Sequence, residues 1–396
     1  MSGTSVSGKI ISTVKPNGDG NFTTLALWED WADADPLSTG HAGYWAECYK
    51  GGNLGVVDVT GWSVSATADN HPKIYAAEGQ GHGGDVTDGA YIQTGSDNGI
   101  ESSGGIAGLH IDGIRIDGNH AGLKVIDMAS TSSVAVLYQT VENCYIHSTN
   151  AGYIMGIYCG NLVADNGAVT KNVVIRNNII ENEYGSTNIL AGFAIAIGAA
   201  ALSGFTAAVT NGFIHNNTIV SRSGDTDNNA KGIGWYYTSG KTLNLYVENN
   251  YISMEDASSG GLIAYPVIIG GTLNITVRNN GQSTDADITS QGLNDDTNYP
   301  GHTTTINATQ ANQFNDRASG DYSLKETAVL RDSGKVPTSY GFSYISVPST
   351  DVLGNTRAQF GTWDIGAYEH LEEVALTGGD VVHKPCFMGR CCRWRI

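Results

Sequence analysis

The side chains best suited to chemistry in this chain are paired acids. Asp225 with Asp227, Glu255 with Asp256, Asp285 with Asp287 and Asp295 with Asp296 each place two carboxylates within three positions. Cleavage of a glycosidic bond needs two carboxyl groups facing one groove, about 5 to 9.5 Å apart. Lys231 and Lys241 are isolated basic groups that could serve proton abstraction. All four acid pairs stand among Ser, Thr, Asn and Gly, the composition of surface loops. The sequence therefore assigns no catalytic residue. Other chemistries find less support: the ten histidines are scattered, and neither a Gly-x-Ser-x-Gly elbow nor a phosphate-binding Gly-rich Lys motif occurs. His82, within Gly-Gln-Gly-His-Gly-Gly, reads as part of a turn. Cys386, Cys391 and Cys392 lack the paired His or Cys spacing of a zinc site, and Cys48, Cys144 and Cys159 read as buried thiols. Neither a metal nor a cofactor is expected. Aromatic faces can pack on sugar rings, and Tyr44, Trp45, Tyr184, Tyr236 and Tyr265 are the candidates for that.

Composition narrows the scaffold that must position such groups. There are 52 Gly against 8 Pro without a three-residue period, which excludes collagen. With 40% hydrophobic and 15% charged residues the chain is not disordered. Its apolar runs are broken by Gly, Ser and Asn, so no span of about 20 residues is expected in a membrane. The formal net charge of −18 argues against nucleic acid as a partner. The polar opening Met1-Ser-Gly-Thr-Ser carries no secretory pattern, which predicts folding in a cytoplasm.

Internal repeats decide the architecture. Six segments share one pattern: Ile111-Asp-Gly-Ile-Arg-Ile116, Val141-Glu-Asn-Cys-Tyr-Ile146, Ile175-Arg-Asn-Asn-Ile-Ile180, Ile214-His-Asn-Asn-Thr-Ile219, Val247-Glu-Asn-Asn-Tyr-Ile252 and Val277-Arg-Asn-Asn-Gly-Gln282. Their starts lie 30, 34, 39, 33 and 30 residues apart. Period-two runs such as Phe193-Ala-Ile-Ala-Ile and Leu243-Asn-Leu-Tyr-Val recur in phase with them. Alternation marks strands, and strands recurring at this interval imply coils stacked on one axis, a parallel β-helix. Asn tolerates left-handed backbone angles, and its amide can bond an identical amide one coil away. Asn143, Asn177, Asn216, Asn249 and Asn279 are therefore expected to form an internal structural ladder. Asp112, Glu142, Arg176, His215, Glu248 and Arg278 should face outward as exposed pairs that pin register.

Outside the repeats, Thr23 or Thr24 can cap a short helix presenting Leu25, Trp28 and Trp31, a plausible plug for the first coil. Residues 1–70 are read as an N-terminal segment with this capping helix, 71–282 as coils, 283–370 as irregular C-terminal coils with a closing motif, and 371–396 as a basic, Cys-containing tail. In the closing motif Arg357 should bridge Asp364 or Asp351. Phe387, Arg390, Arg393, Trp394, Arg395 and Ile396 make the tail a candidate docking element. Lys384, Arg390, Arg393 and Arg395, with no acid among the last thirteen residues, leave −22 on residues 1–383.

The opening Gly-Asp-Gly-Asn-Phe-Thr-Thr-Leu, the repeated Asn-Asn rungs and the closing Asp351-Val-Leu-Gly-Asn-Thr-Arg357 with Asp364-Ile-Gly-Ala-Tyr-Glu369 resemble the pectin-lyase-like superfamily. That resemblance, covering roughly residues 9 to 370, implies an all-β fold: a single-stranded right-handed parallel β-helix with an N-terminal capping helix and a non-repetitive C-terminal tail. Lyases of the superfamily use an acidic calcium site and a basic residue, and no such motif carries over here. Similar openings and closings occur in bacteriophage structural proteins and in secreted bacterial proteins. The leading expectation is a noncatalytic virion protein, a spike, fibre or capsid-surface component. Its partners would be other virion subunits and host surface polysaccharide, with a homotrimer as one assembly. The alternatives are a polysaccharide lyase or glycoside hydrolase with acids in the corner loops, and a bacterial surface adhesin.

Overall fold

The computed structural model describes residues 4–6, 9–34, 43–60, 71–104, 108–118, 124–128, 136–150, 155–159, 170–184, 193–198, 209–223, 231–238, 242–255, 263–264, 268–269, 272–282, 306–307, 310–341, 345–357 and 362–370. From Val57–Thr60 to Ile263–Ala264 the strands fall in turn on three sheets, C, A and B, each parallel to its neighbours. Gly108–Asp112, Arg115–Gly118 and Lys124–Asp127 form one coil, followed by Val136–Glu142, Tyr145–Asn150 and Met155–Cys159. The next three are Thr170–Arg176, Ile179–Tyr184 and Phe193–Gly198; Val209–His215, Thr218–Ser223 and Lys231–Thr238; Thr242–Glu248, Tyr251–Glu255 and Ile263–Ala264. Sheet A closes with Thr272–Arg278 and sheet B continues to Ile306–Asn307. The chain is an all-β parallel β-helix.

Register explains why this sequence winds so. Ile111, Val141, Ile175, Ile214, Val247 and Val277 occupy successive rungs of sheet A and are buried in one core. Ile116, Ile146, Ile180, Ile219 and Ile252 do the same on sheet B, and Ile126, Ile157, Ile195 and Ile233 on sheet C. Each aliphatic residue so buried contributes roughly 1.5–3 kcal/mol, and slipping a strand by one position would turn its whole set outward.

The A-to-B corner carries a fixed backbone demand. Gly113 has φ 73°, and Asn143, Asn177, Asn216, Asn249 and Asn279 have φ between 52° and 55°. Only Gly, and less readily Asn, adopts this left-handed conformation cheaply. The buried amide ladder, however, belongs to the following residue. Asn178 Nδ2 donates to Asn217 Oδ1 (2.9 Å), Asn217 to Asn250 (2.9 Å) and Asn250 to Asn280 (3.1 Å). The same oxygens accept the backbone N–H of Asn178, Asn217 and Asn250, and Asn178 Oδ1 accepts that of Cys144. The left-handed turn points the first amide of each pair out of the coil and the second into it. Asn143 and Asn177 do share one bond, at 3.2 Å.

At the N-terminal end, helix α1 (Leu25–Ala34) takes Thr24 as its cap, Oγ1 accepting from Leu27 N–H at 3.3 Å. Leu25, Trp28 and Ala32 join the core cluster of the coils; Trp31 is half-buried, its ring 5.4 Å from Phe22 and 5.5 Å from Tyr44.

The C-terminal stretch departs from the expected irregular coils. Among the described residues from 310 onward, no strand joins the three sheets. Phe314–Asp316 and Asp321–Leu324 pair antiparallel, and the chain then lies as a strap along the outside of sheets A and B. Its Tyr322, Leu330, Ile365, Ala367 and Tyr368 pack on Tyr145, Ile179, Val220 and Tyr251 of sheet B, and Tyr340 and Ile345 pack on Val174 and Phe213 of sheet A.

Candidate functional site

The strap changes the meaning of the charged column. Asp112, Glu142, Arg176, His215, Glu248 and Arg278 stack in register on the outer face of sheet A. They do face away from the coil, but Glu142, Arg176, His215 and Glu248 are buried rather than exposed. Arg176 Nε donates to Glu142 Oε2 (2.7 Å), and its Nη1 donates to the Tyr340 hydroxyl (3.2 Å) and to the Ser346 carbonyl. His215 Nε2 bonds the same Tyr340 hydroxyl. Glu248 accepts from Thr338 N–H (2.7 Å), Thr338 Oγ1 (2.8 Å) and Arg278 Nε (2.6 Å). Burial works against the Glu142 charge, yet Arg176, His110 and Lys73 together hold its carboxyl well below the usual range. Burial, reinforced by the Arg176 charge, keeps His215 neutral far below its ordinary value.

The first asparagines of the corners, turned outward, are the strap's anchor points. Asn177 Nδ2 donates to Thr350 O (2.9 Å), Asn216 to Asp364 O (3.3 Å) and Asn249 to Lys335 O (2.6 Å). Arg357 is fully buried; its Nη2 donates to Asn177 Oδ1 (2.9 Å), and it pairs with Glu369 (3.3 Å). Asp351 and Asp364 instead accept backbone N–H groups, including those of Glu369 and Asp332, so the closing motif is a clip braced internally and fastened to the side of the rod through Asn177 and Asn216. On sheet B, Glu181 accepts from the hydroxyls of Tyr145 (2.5 Å) and Tyr322.

Two further clusters could do chemistry. His110, Asp112 and Glu142 bring ligand atoms within 4.8 Å of one another. Lys73 Nζ lies 2.8 Å from Asp112, Asn143 Nδ2 donates to Asp112 (2.9 Å), and Arg176 pairs with Glu142, so two cations already balance the two carboxylates. The group is complete as an ion-pair network. The second cluster is on the outer face of sheet C, where Asp58, Glu101 and Asp127 stand on neighbouring rungs. Their backbones stand one strand spacing, about 4.8 Å, apart on successive rungs. Lys124 Nζ donates to Asp127 (2.6 Å) and lies 4.1 Å from the Tyr158 ring centroid, and Asn98 donates to Glu101 (3.0 Å). Burial, then the neighbouring Asp127 and Asp58 charges, raise the Glu101 carboxyl above its ordinary value. A carboxyl raised in this way beside other carboxylates is the kind of grouping acid–base chemistry draws on.

Of the residues singled out in the sequence, Asp225, Asp227, Asp256, Asp285, Asp287, Asp295, Asp296, Lys241 and Tyr265 lie outside the described residues. So do Cys386, Cys391, Cys392 and the tail residues Phe387, Arg390, Arg393, Trp394, Arg395 and Ile396. Glu255 and Lys231 end and begin strands on different sheets, and Tyr184 and Tyr236 occupy strand positions. Tyr44 faces the core, whereas Trp45 is partly exposed beside Tyr75 (5.8 Å), with Lys9 Nζ 4.2 Å from its centroid. Cys48, Cys144 and Cys159 are free and buried. His82 fills its turn: Nδ1 accepts from Gly84 N–H (3.1 Å), which leaves Nε2 to donate to Asn143 O (2.9 Å), and burial lowers its pKa to about 4. The Asp58–Glu101–Asp127 column escaped the sequence reading because its members are 43 and 26 residues apart and only rung register unites them. A second, outward amide ladder, Asn172, Asn211, Asn244 and Asn274, was legible as the Asn inside each sheet A run.

No protein-family model matches the chain, and no curated protein and no solved structure matches it. No helix among the described residues is long and apolar enough to cross a membrane.

Proposed function

We propose that the chain is a structural protein of a bacteriophage virion, a pectin-lyase-like β-helical spike, fibre or capsid-surface component that holds corner loops at fixed spacing on a stiff rod. The observation that carries this reading is the strap. Its buried bonds to Arg176, Asn177, His215, Asn216, Glu248 and Asn249 tie three consecutive rungs together from outside, on top of the amide ladder within. Such double bracing suits a load-bearing display role. Other virion subunits are the partners, and host surface polysaccharide is the ligand such loops would meet. Mass spectrometry of purified particles, with sequencing of the flanking genes, tests the reading. Detection of the chain beside capsid, portal or tail proteins supports it, and absence from particles overturns it.

A second reading rests on the sheet C acids. Asp58, Glu101 and Asp127 would make the rod a glycan-cleaving enzyme, with Glu101 as the proton donor. Reducing-sugar release and unsaturated-uronate absorbance over a panel of glycans test it. Turnover that Glu101→Gln abolishes would establish this reading over the first.

A further inference from the structure

Sheet B carries a second inward column, two residues beyond its isoleucines. Thr94, Gly118, Ser148 and Asn182 follow one another on successive rungs. Thr94, Ser148 and Asn182 are 4%, 1% and 1% exposed, so they belong to the interior. Yet the hydroxyls of Thr94 and Ser148, and both the Nδ2 and Oδ1 of Asn182, meet no hydrogen-bond partner among the described residues. The contrast with the A-to-B corner is one of reach. There Asn faces Asn, and two amides close the strand spacing of about 4.8 Å. Here Asn182 faces the short Ser148, and the two side chains fall short of each other.

An unpartnered buried polar group costs roughly five-fold to more than a hundred-fold in the folding equilibrium. Asn182 would incur that cost twice. Buried polar sites in folded proteins escape it by binding water, which makes about three hydrogen bonds to such groups. We propose that the coil interior binds ordered water at the sheet B side, one molecule bridging Ser148 Oγ and the Asn182 amide, with Thr94 holding another. The rod then has a dry aliphatic seam along its isoleucines and a wet seam where the chain leaves sheet B for sheet C. Coil length varies between 30 and 39 residues, and a hydrated seam accommodates unequal departures better than a jigsaw of methyl groups does.

Chemical denaturation of the full chain tests this with Asn182→Leu, Ser148→Ala and the double variant. If water satisfies the amide, Asn182→Leu lowers the folding equilibrium constant about tenfold or more, and the double variant loses less than the product of the two single effects. A dry site predicts the reverse: Leu removes two unpaired polar atoms, and stability is unchanged or rises, which would overturn the proposal. Should Asn182→Leu not fold, magnetic relaxation dispersion of water oxygen in the wild type and Ser148→Ala decides. Long-lived internal water lost in Ser148→Ala supports the site, and an identical signal in both overturns it.

Discussion

The A-to-B corner is built twice in this molecule, from different side chains. In its early rungs the inward position is apolar, Ile114 and then Cys144. From Asn178 onward the same position is an amide on every rung to Asn280. The preceding residue barely changes: Gly113 or Asn, always left-handed. Backbone conformation is thus the invariant of the corner, and its filling is negotiable. The outer face divides at nearly the same place. Before Glu142, the rungs of sheet A show partly exposed Trp45, Lys73, Tyr75, His110 and Asp112; beyond it, Arg176, His215 and Glu248 are sealed beneath the strap. Amide filling and strap cover coincide, so the later rungs keep both their corner amides and their outer charges from bulk solvent.

Substitutions that cross this divide show how far the difference matters. Asn217→Leu should do most harm. It strips partners from Asn178 N–H and Nδ2, Ile175 O and Asn250 Oδ1, all buried, and should cost about 3 kcal/mol or more in chemical denaturation. Arg176→Met leaves Glu142 buried with a partner lost and releases the strap at Tyr340 and Ser346. A loss of about 3 kcal/mol and faster proteolysis within 330–369 are expected. The equivalent change on the open side, Lys73→Met, should cost less than about 1 kcal/mol, because the Lys73–Asp112 pair is partly solvated. Equal losses at the two positions would erase the proposed contrast.

Acid supplies a third comparison. His82 and His215 are held neutral in the fold, their pKa values depressed below the ordinary 6.5. Between pH 6.5 and about 4 the unfolded chain takes up protons that the folded chain refuses. Stability is therefore full above pH 6.5 and falls with acidification by up to about 1.4 kcal/mol per pH unit for each group. Denaturation midpoints across that window should show a shallower fall in His215→Gln than in wild type. The smallest effect should come from Cys144→Asn, which extends the ladder by one amide. Its Nδ2 can donate to Asn178 Oδ1, and stability should stay within about 1 kcal/mol of wild type in the same denaturation assay.

How much of this was legible beforehand follows from the range of each interaction. The rungs could be read because strand alternation and the left-handed Asn are local, visible within six residues of Ile175-Arg-Asn-Asn-Ile-Ile180. The pairing of coils followed from repetition alone. Sequence could not say which Asn of each pair turns inward, since that depends on the direction in which the corner leaves sheet A. Nor could it place the strap, whose bonds join residues 60 to 284 positions apart and follow no period. Burial of Arg176 and His215 was hidden for that reason: on the coil alone they are outward, and only a segment from the far end of the sequence covers them.

A stack of coils whose neighbours touch only each other unravels from its ends, one layer at a time. The strap alters that prospect, because it grips Gly84 through Tyr368 and Arg278 through Thr338, nearly 200 residues apart. A force that peels the last coil must first undo contacts made many layers below, so fraying at one end is felt along the whole spine. The molecule is splinted, and it should fail all at once or scarcely at all.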